Sequence, residues 1–174
     1  MSRQTERANT PGTDPRSMET TRHFTATAYI VNDGATALHH HDRLGIRVPP
    51  GGHVDRDELP HEAALREIEE ETGLDATLVD DTREVVGPAG ESIPRPRHVM
   101  LYDINVHSDG SVGHQHVDLL YYASVERREI APEPSETGVE AWSWYTPEEL
   151  RASEMDADTI ELGCEAIEVV EDGG

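Results

Sequence analysis

The segment from Gly52 to Leu74, GHVDRDELPHEAALREIEEETGL, leaves this chain little choice of structure. Glu58 and Pro60 suit a first helical turn, Ala63, Ala64, Leu65, Glu67 and Ile68 are good helix formers, and Gly73 supplies a stop. A helix is expected from Pro60 to about Glu71 or Thr72. On it Glu67, Glu70 and Glu71 stand at i, i+3 and i+4 and crowd one face. Such like charges destabilise a helix and raise one another's pKa. A divalent cation removes both penalties, and magnesium takes hard oxygen ligands while keeping waters that phosphates can replace. Ala64, Leu65 and Ile68 form the stripe that would fasten the helix to a sheet. Arg66 can pair with a neighbouring carboxylate, and Gly52 lets a backbone carbonyl approach a metal with no side chain in the way. A merely solvated acidic face accounts for Glu62 or Glu69 alone, but it would not require the arginine, the glycines and the apolar positions together.

Around this helix the pattern is that of strands. Residues 1–22 are rich in Ser, Thr, Pro, Gly and charge and read as a disordered leader. A single domain is expected over 23–174. His23 to Val31 alternates as a strand, Asn32-Asp33-Gly34 is a turn, and Ala37 to His41 reads as the second strand of a hairpin. Pro49-Pro50-Gly51-Gly52 is expected to be a loop. Strand signals return at about Thr77–Val86, Val99–Val106, Val117–Val125 and Val139–Tyr145, with loops at Gly87–Pro96, Ser108–Gly113 and Ile130–Thr137. Short helices are expected at Pro147–Ala152 and Ile160–Val170. This order fits a mixed sheet packed between helices.

Charge narrows the partners. The chain has 36 acidic and 14 basic residues, a formal net charge of −22, and every basic residue is an arginine. Such a chain repels itself in dilute buffer, and at ~1 M salt, where the Debye length is about 3 Å, most of that repulsion is screened. The acidity is spread along the chain, which points to a salt-adapted protein. It argues against nucleic-acid or anionic-membrane binding, since both need basic surface. One cysteine, Cys164, excludes an intramolecular disulfide and suits a reducing cytosol. No apolar run is long enough to span a membrane, and no secretory signal follows Met1.

Gly52, Glu58, Arg66, Glu67, Ile68, Glu70, Glu71, Gly73 and Leu74 fill every specified position of the Nudix box, G-x(5)-E-x(7)-R-E-U-x-E-E-x-G-U with U a bulky apolar residue. Pro50-Gly51-Gly52 ahead of the box and the Trp142 to Leu150 stretch are also similar to family members. The chain therefore resembles the Nudix hydrolases over about residues 23–152. The resemblance implies an α/β/α sandwich with a mixed β-sheet and hydrolysis of a nucleoside diphosphate linked to another moiety. It implies that Glu67, Glu70 and Glu71 bind Mg2+, or Mn2+ in its place, with the Gly52 carbonyl as a further ligand, Glu58 in support and Arg66 orienting a glutamate. Glu67, Arg66 and Glu70 are the catalytic candidates. The general base is either a box glutamate or one of Glu133, Glu136 and Glu140. A homodimer is compatible with this reading.

Several residues stand outside the specified positions of the box. His53, His116 and Asp118 are the substrate-binding candidates: His53 follows Gly52, and His114, His116 and Asp118 share one strand face at period two. His39-His40-His41 lacks the partner ligands of a zinc site and reads as structural or surface. Pro88 lies near where ADP-ribose-cleaving relatives tend to carry a proline, a weak lean towards ADP-ribose or nucleotide sugars. Two rivals share the fold. Isopentenyl diphosphate isomerase calls for a cysteine in the site, whereas Cys164 lies near the C-terminus. A nucleotide-sensing domain without turnover usually lacks box glutamates, and none is missing here.

Overall fold

The structure, a computed structural model, describes residues 19–173. In chain order its elements are β1 (Thr21–Asn32), β2 (Ala35–His41), β3 (Ile46–Val48), β4 (Gly51–His53), α1 (Pro60–Thr72), β5 (Ala76–Leu78), β6 (Val86–Gly87), β7 (Gly90–Glu91), β8 (His98–Val106), β9 (Val112–Val125), β10 (Trp142–Tyr145), α2 (Pro147–Ala152) and α3 (Ala157–Asp172). Eight strands form one sheet, in the order β10-β2-β1-β9-β5, with β3 on β2, β4 on β1 and β8 on β9. The central pair, β1 and β9, is parallel and all other pairs are antiparallel, so the sheet is mixed. Of the expected leader, residues 1–18 lie outside the described residues. Thr21 and Arg22 already belong to β1.

Strand alternation divides the core in two. Ala26, Ala28 and Ile30 of β1, Ala37 of β2, and Tyr121, Ala123 and Val125 of β9 face α1, where Ala63, Ala64 and Ile68 are buried against them. The facing positions are largely alanine, so α1 lies close to the sheet. On the opposite face Tyr29, Val31, Leu38, Leu120 and Tyr122 pack against Leu150 of α2 and Leu162, Ala166 and Ile167 of α3. Cys164 is packed at the margin of this second core. Helix α1 starts at Pro60 with the Glu62 carboxylate accepting from the Leu59 N–H at 3.0 Å. It ends at Gly73, whose φ of 67° is the left-handed conformation glycine adopts at no steric cost, its N–H donating to the Glu69 carbonyl at 2.7 Å. Thr146 and Glu149 form a reciprocal cap on α2, at 3.3 and 2.8 Å.

Several expected elements differ. The expected loop at Pro49–Gly52 ends in a strand: Gly51–His53 pairs antiparallel with Thr25–Thr27. Neither glycine there has positive φ. Gly51 is needed because a Cβ would stand 2.6 Å from Thr27 Oγ1 and 2.7 Å from the Ala26 carbonyl oxygen. Of the expected Thr77–Val86 strand, Thr77 and Leu78 form the end of β5 and Val86 starts the separate β6; between them Asp80 turns the chain by accepting from the Thr82 N–H at 2.8 Å. Residues 86–91 make the small β6–β7 hairpin inside an expected loop. Val139–Ala141 is a 3-10 turn leading into β10, and β9 starts at Val112, inside the expected 108–113 loop.

Candidate active site

Arg66 gathers the carboxylates. Its Nε and Nη2 donate to the two oxygens of Glu58 at 2.8 and 3.0 Å, a bidentate pair. Its Nη1 donates to both Glu67 Oε1 at 2.8 Å and Glu70 Oε2 at 3.0 Å, and Nη2 also reaches the His53 carbonyl at 3.1 Å. One guanidinium thus ties α1 to β4 and brings two box glutamates to a single nitrogen. Arg66 holds the Glu58 carboxyl below the usual carboxylate range. Burial pushes Glu67 upward against the pull of Arg66.

Glu71 completes the group. Its Oε2 accepts from the Gly51 N–H at 3.2 Å. Burial, reinforced by Glu67, Glu136 and Glu70, pushes its pKa up to about 8 despite that hydrogen bond. Gly52 has a further task that its sequence does not reveal. A Cβ there would stand 2.6 Å from the Glu67 carboxyl carbon, so the missing side chain makes room for the Glu67 carboxylate itself. Glu62 and Glu69 are exposed, Glu62 serving as the helix cap.

The loop after β9 closes against the end of α1. The Ala131 N–H donates to the Thr72 carbonyl and the Glu133 N–H to the Glu70 carbonyl, both at 2.8 Å. Of the three later glutamates, Glu136 is the one whose charge raises both Glu67 and Glu71. The Glu140 carboxylate lies back against Gly138.

β4 separates two environments. Gly52 faces α1, while His53, paired with Thr25, faces the other side of the sheet, where a cleft of about 1190 Å³ opens. His53, His116 and Asp118 all line it. Asp118 is buried, and its Oδ1 accepts from Thr25 and Thr27 Oγ1 at 2.7 and 2.8 Å, which fixes the cleft floor. Burial raises the Asp118 pKa, opposed by both threonines. His116 is pushed down to about 4 by burial and then by His53, His114 and His23; burial, His23 and His114 also lower His53. His23, His114, Tyr102 and Arg43 line the cleft as well, and Arg43 is the one arginine among its lining residues. The sequence pattern grouped His114 with His116 and Asp118 but did not single out His23, Tyr102 or Arg43, although His23 is at the same period-two phase of β1 as Thr25. Of the His39–His41 tract, His39 is buried and stacks on Trp142 at 4.6 Å, its pKa lowered to about 4 by burial.

The carboxylates suit a hard divalent cation. Glu67, Glu70 and Glu71 offer oxygen donors only, burial raises the pKa values of Glu67 and Glu71, and glycine at 52 leaves the space in which Glu67 sits. The pattern of the NUDIX domain matches residues 21–163. A NUDIX-family hydrolase from Clostridium perfringens is 29% identical with a TM-score of 0.73, covering 86% of this chain and 99% of its own. The MutT protein from Methanosarcina mazei Go1 shares the fold at 19% identity and a TM-score of 0.53, over 89% of this chain and 99% of its own. An RNA pyrophosphohydrolase from Erythrobacter litoralis (strain HTCC2594) is 32% identical over 112 residues, 62% of this chain; the chain spans 63% of that protein's length. The chain belongs to the Nudix hydrolase family, and its mixed sheet between helices is the Nudix α/β/α sandwich.

Proposed function

We propose that this chain hydrolyses a diphosphate bond in a nucleoside diphosphate linked to another moiety, using Mg2+ (or Mn2+) held by Glu67, Glu70, Glu71 and the Gly52 carbonyl. One observation carries the reading: Arg66 Nη1 brings Glu67 and Glu70 together beside Glu71 on α1, against β4, whose other face opens into a cleft. When bound, the metal lowers the pKa of water and neutralises charge developing on the phosphates. Glu58 anchors Arg66, and Arg66 sets the orientation of Glu67 and Glu70. Glu136, fixed by its loop against α1 and close enough to act on Glu67 and Glu71, takes the proton of the attacking water. His53 and His116 contact the substrate, Arg43 meets a phosphate, and Asp118 keeps the floor in register.

ADP-ribose and nucleotide sugars lead the candidate substrates. A cleft of about 1190 Å³ exceeds the roughly 300–1,000 Å³ of ordinary ligand pockets and accommodates a two-part substrate. Pro88 does not contribute to it, lying exposed in the β6–β7 turn. The Erythrobacter relative favours a second reading, removal of diphosphate from an RNA 5′ end, which the net charge of −22 disfavours. Cys164 does not line the cleft, which leaves the isomerase reading without the cysteine it calls for. Turnover of ADP-ribose, nucleotide sugars, nucleoside triphosphates and 5′-triphosphorylated RNA, with and without Mg2+, tests the proposal. Quenching in ¹⁸O-labelled water shows which phosphorus is attacked. Absence of Mg2+-dependent turnover on the whole panel would leave a sensing domain.

The lysine-free, acidic composition supports salt adaptation. No helix among the described residues is long and apolar enough to cross a membrane, and the single cysteine suits the cytoplasm. Exposed Phe24 and Leu101, both in register with Val117, give a homodimer an apolar surface near the β8 edge, which light scattering would detect.

A further inference from the structure

Four histidines meet at one end of the cleft. His23 lies on β1, His53 on β4, and His114 and His116 on β9. Strand register brings them together: His23 is paired with His116, Thr21 with His114, and Thr25 with His53, so all four rings project from the same face. Their centroids lie 4.7 Å apart for His23 and His114, 5.3 Å for His23 and His53, and 5.0 Å from His116 to both His53 and His114. His23, His53 and His114 each offer one ring nitrogen, all within 4.8 Å of one another.

We propose that His23, His53 and His114 form a second metal site, selective for a borderline divalent cation of the zinc class, on the face of β4 opposite the carboxylates. A tetrahedral zinc site with Zn–N of about 2.0–2.1 Å sets its nitrogens roughly 3.3–3.4 Å apart. The rings need to close by at most about 1.5 Å from the 4.8 Å limit. His23 and His53 are exposed and free to rotate that far. His114 is already oriented. The Thr21 hydroxyl lies 3.2 Å from the Gly113 carbonyl, to which it can donate, and 2.9 Å from His114 Nδ1. With that hydroxyl donating to the carbonyl, Nδ1–H donates to the hydroxyl and Nε2 keeps its lone pair for a metal, the arrangement that outer partners of metal-bound histidines provide. His116 flanks the triad, and the fourth coordination position faces the cleft.

The two sites choose different ions by ligand chemistry. An all-oxygen carboxylate set suits magnesium, whereas imidazoles suit zinc, cobalt, nickel and copper. Zinc at the histidines therefore does not compete with magnesium at Glu67, Glu70 and Glu71. A cation there adds positive charge to a cleft in which Arg43 is the one arginine among the described lining residues, which favours an anionic substrate group.

The test is Co2+ and Zn2+ titration of the full chain in excess Mg2+. The expected result is one equivalent of Co2+ showing the strong visible bands of tetrahedral nitrogen coordination, displaced by Zn2+. Glu70→Gln should retain the bands. His23→Ala and His114→Ala should weaken Zn2+ binding at least ~100-fold. ¹⁵N spectra of the imidazoles in the unsubstituted protein give a readout free of folding effects: Zn2+ should shift three histidines. Absence of tetrahedral bands, bands lost in Glu70→Gln but kept in both histidine variants, or fewer than three shifted histidines overturns the proposal.

Discussion

Gly52 is the absence into which the Glu67 carboxylate fits: a Cβ on Gly52 would stand 2.6 Å from the Glu67 carboxyl carbon. Gly52→Ala therefore displaces Glu67 without touching the core. An error of ~1 Å in the placement of a reacting group costs about 10²-fold in rate. The expected outcome is a kcat lowered by at least that factor with an unchanged circular dichroism spectrum. Wild-type kcat in this variant would remove Glu67 from the metal set.

Glu70→Gln keeps the shape of the side chain and removes a ligand charge. Because a bound metal supplies most of the charge stabilisation, kcat should fall at least ~10²-fold. Steady-state rates at saturating Mg2+ measure it. Undiminished turnover there would mean that Glu70 serves only to hold Arg66.

Glu71 should make both stability and metal binding depend on pH. Its pKa in the metal-free fold is about 8, against about 4.3 for a glutamate in an unfolded chain. The folded state holds this proton more tightly, so the associated stability is full below the unfolded pKa and is lost as pH rises through 8. His39 and His116, lowered to about 4, contribute the opposite slope, complete above about 6.5. From about pH 6.5 to 9 the melting temperature of the metal-free protein should therefore fall. The gain in melting temperature on adding Mg2+ should grow over the same range, because the ion needs the carboxylate. Thermal melts with Mg2+ and with chelator give both curves. An equal Mg2+ effect at both ends of the range counts against Glu71 as a ligand.

Salt should stabilise the fold and weaken its hold on magnesium. With a net charge of −22, folding brings carboxylates together, and raising KCl from about 0.1 M to ~1 M shortens the Debye length from about 10 Å to about 3 Å. The melting temperature should climb over that range while the Mg2+ concentration for half-maximal rate rises. A flat or falling melting temperature would count against salt adaptation and leave the family assignment untouched.

What could be read from the sequence was what depends on local chemistry. Pro60, the alanines and Gly73 set α1 where the structure has it, Pro60–Thr72, and Pro147–Ala152 likewise forms α2. Elements set by distant neighbours were harder. Gly51 and Gly52 read as a loop because nothing in their own sequence reveals that Thr27 and Glu67 press on them. The first residues of β9 carry polar side chains because they line a cleft, so the apolar alternation that marks a strand is missing there. Among the later glutamates, sequence spacing could not separate Glu136 from Glu133 and Glu140. The docking of their loop on α1 brings Glu136 to bear on the box.

The parallel pairing of β1 with β9 has a consequence for how the molecule is made. Partners such as Thr21 and His114 lie 93 residues apart, and they build the floor on which α1 rests. During synthesis α1 leaves the ribosome well before β9, so Ala63, Ala64 and Ile68 have only half a surface to close upon. Pairings of such long range form late and slowly. Helix α1 is thus one of the last parts of the domain to be secured, and pulse-labelled amide exchange during refolding should find its amides protected no earlier than those of β1 and β9.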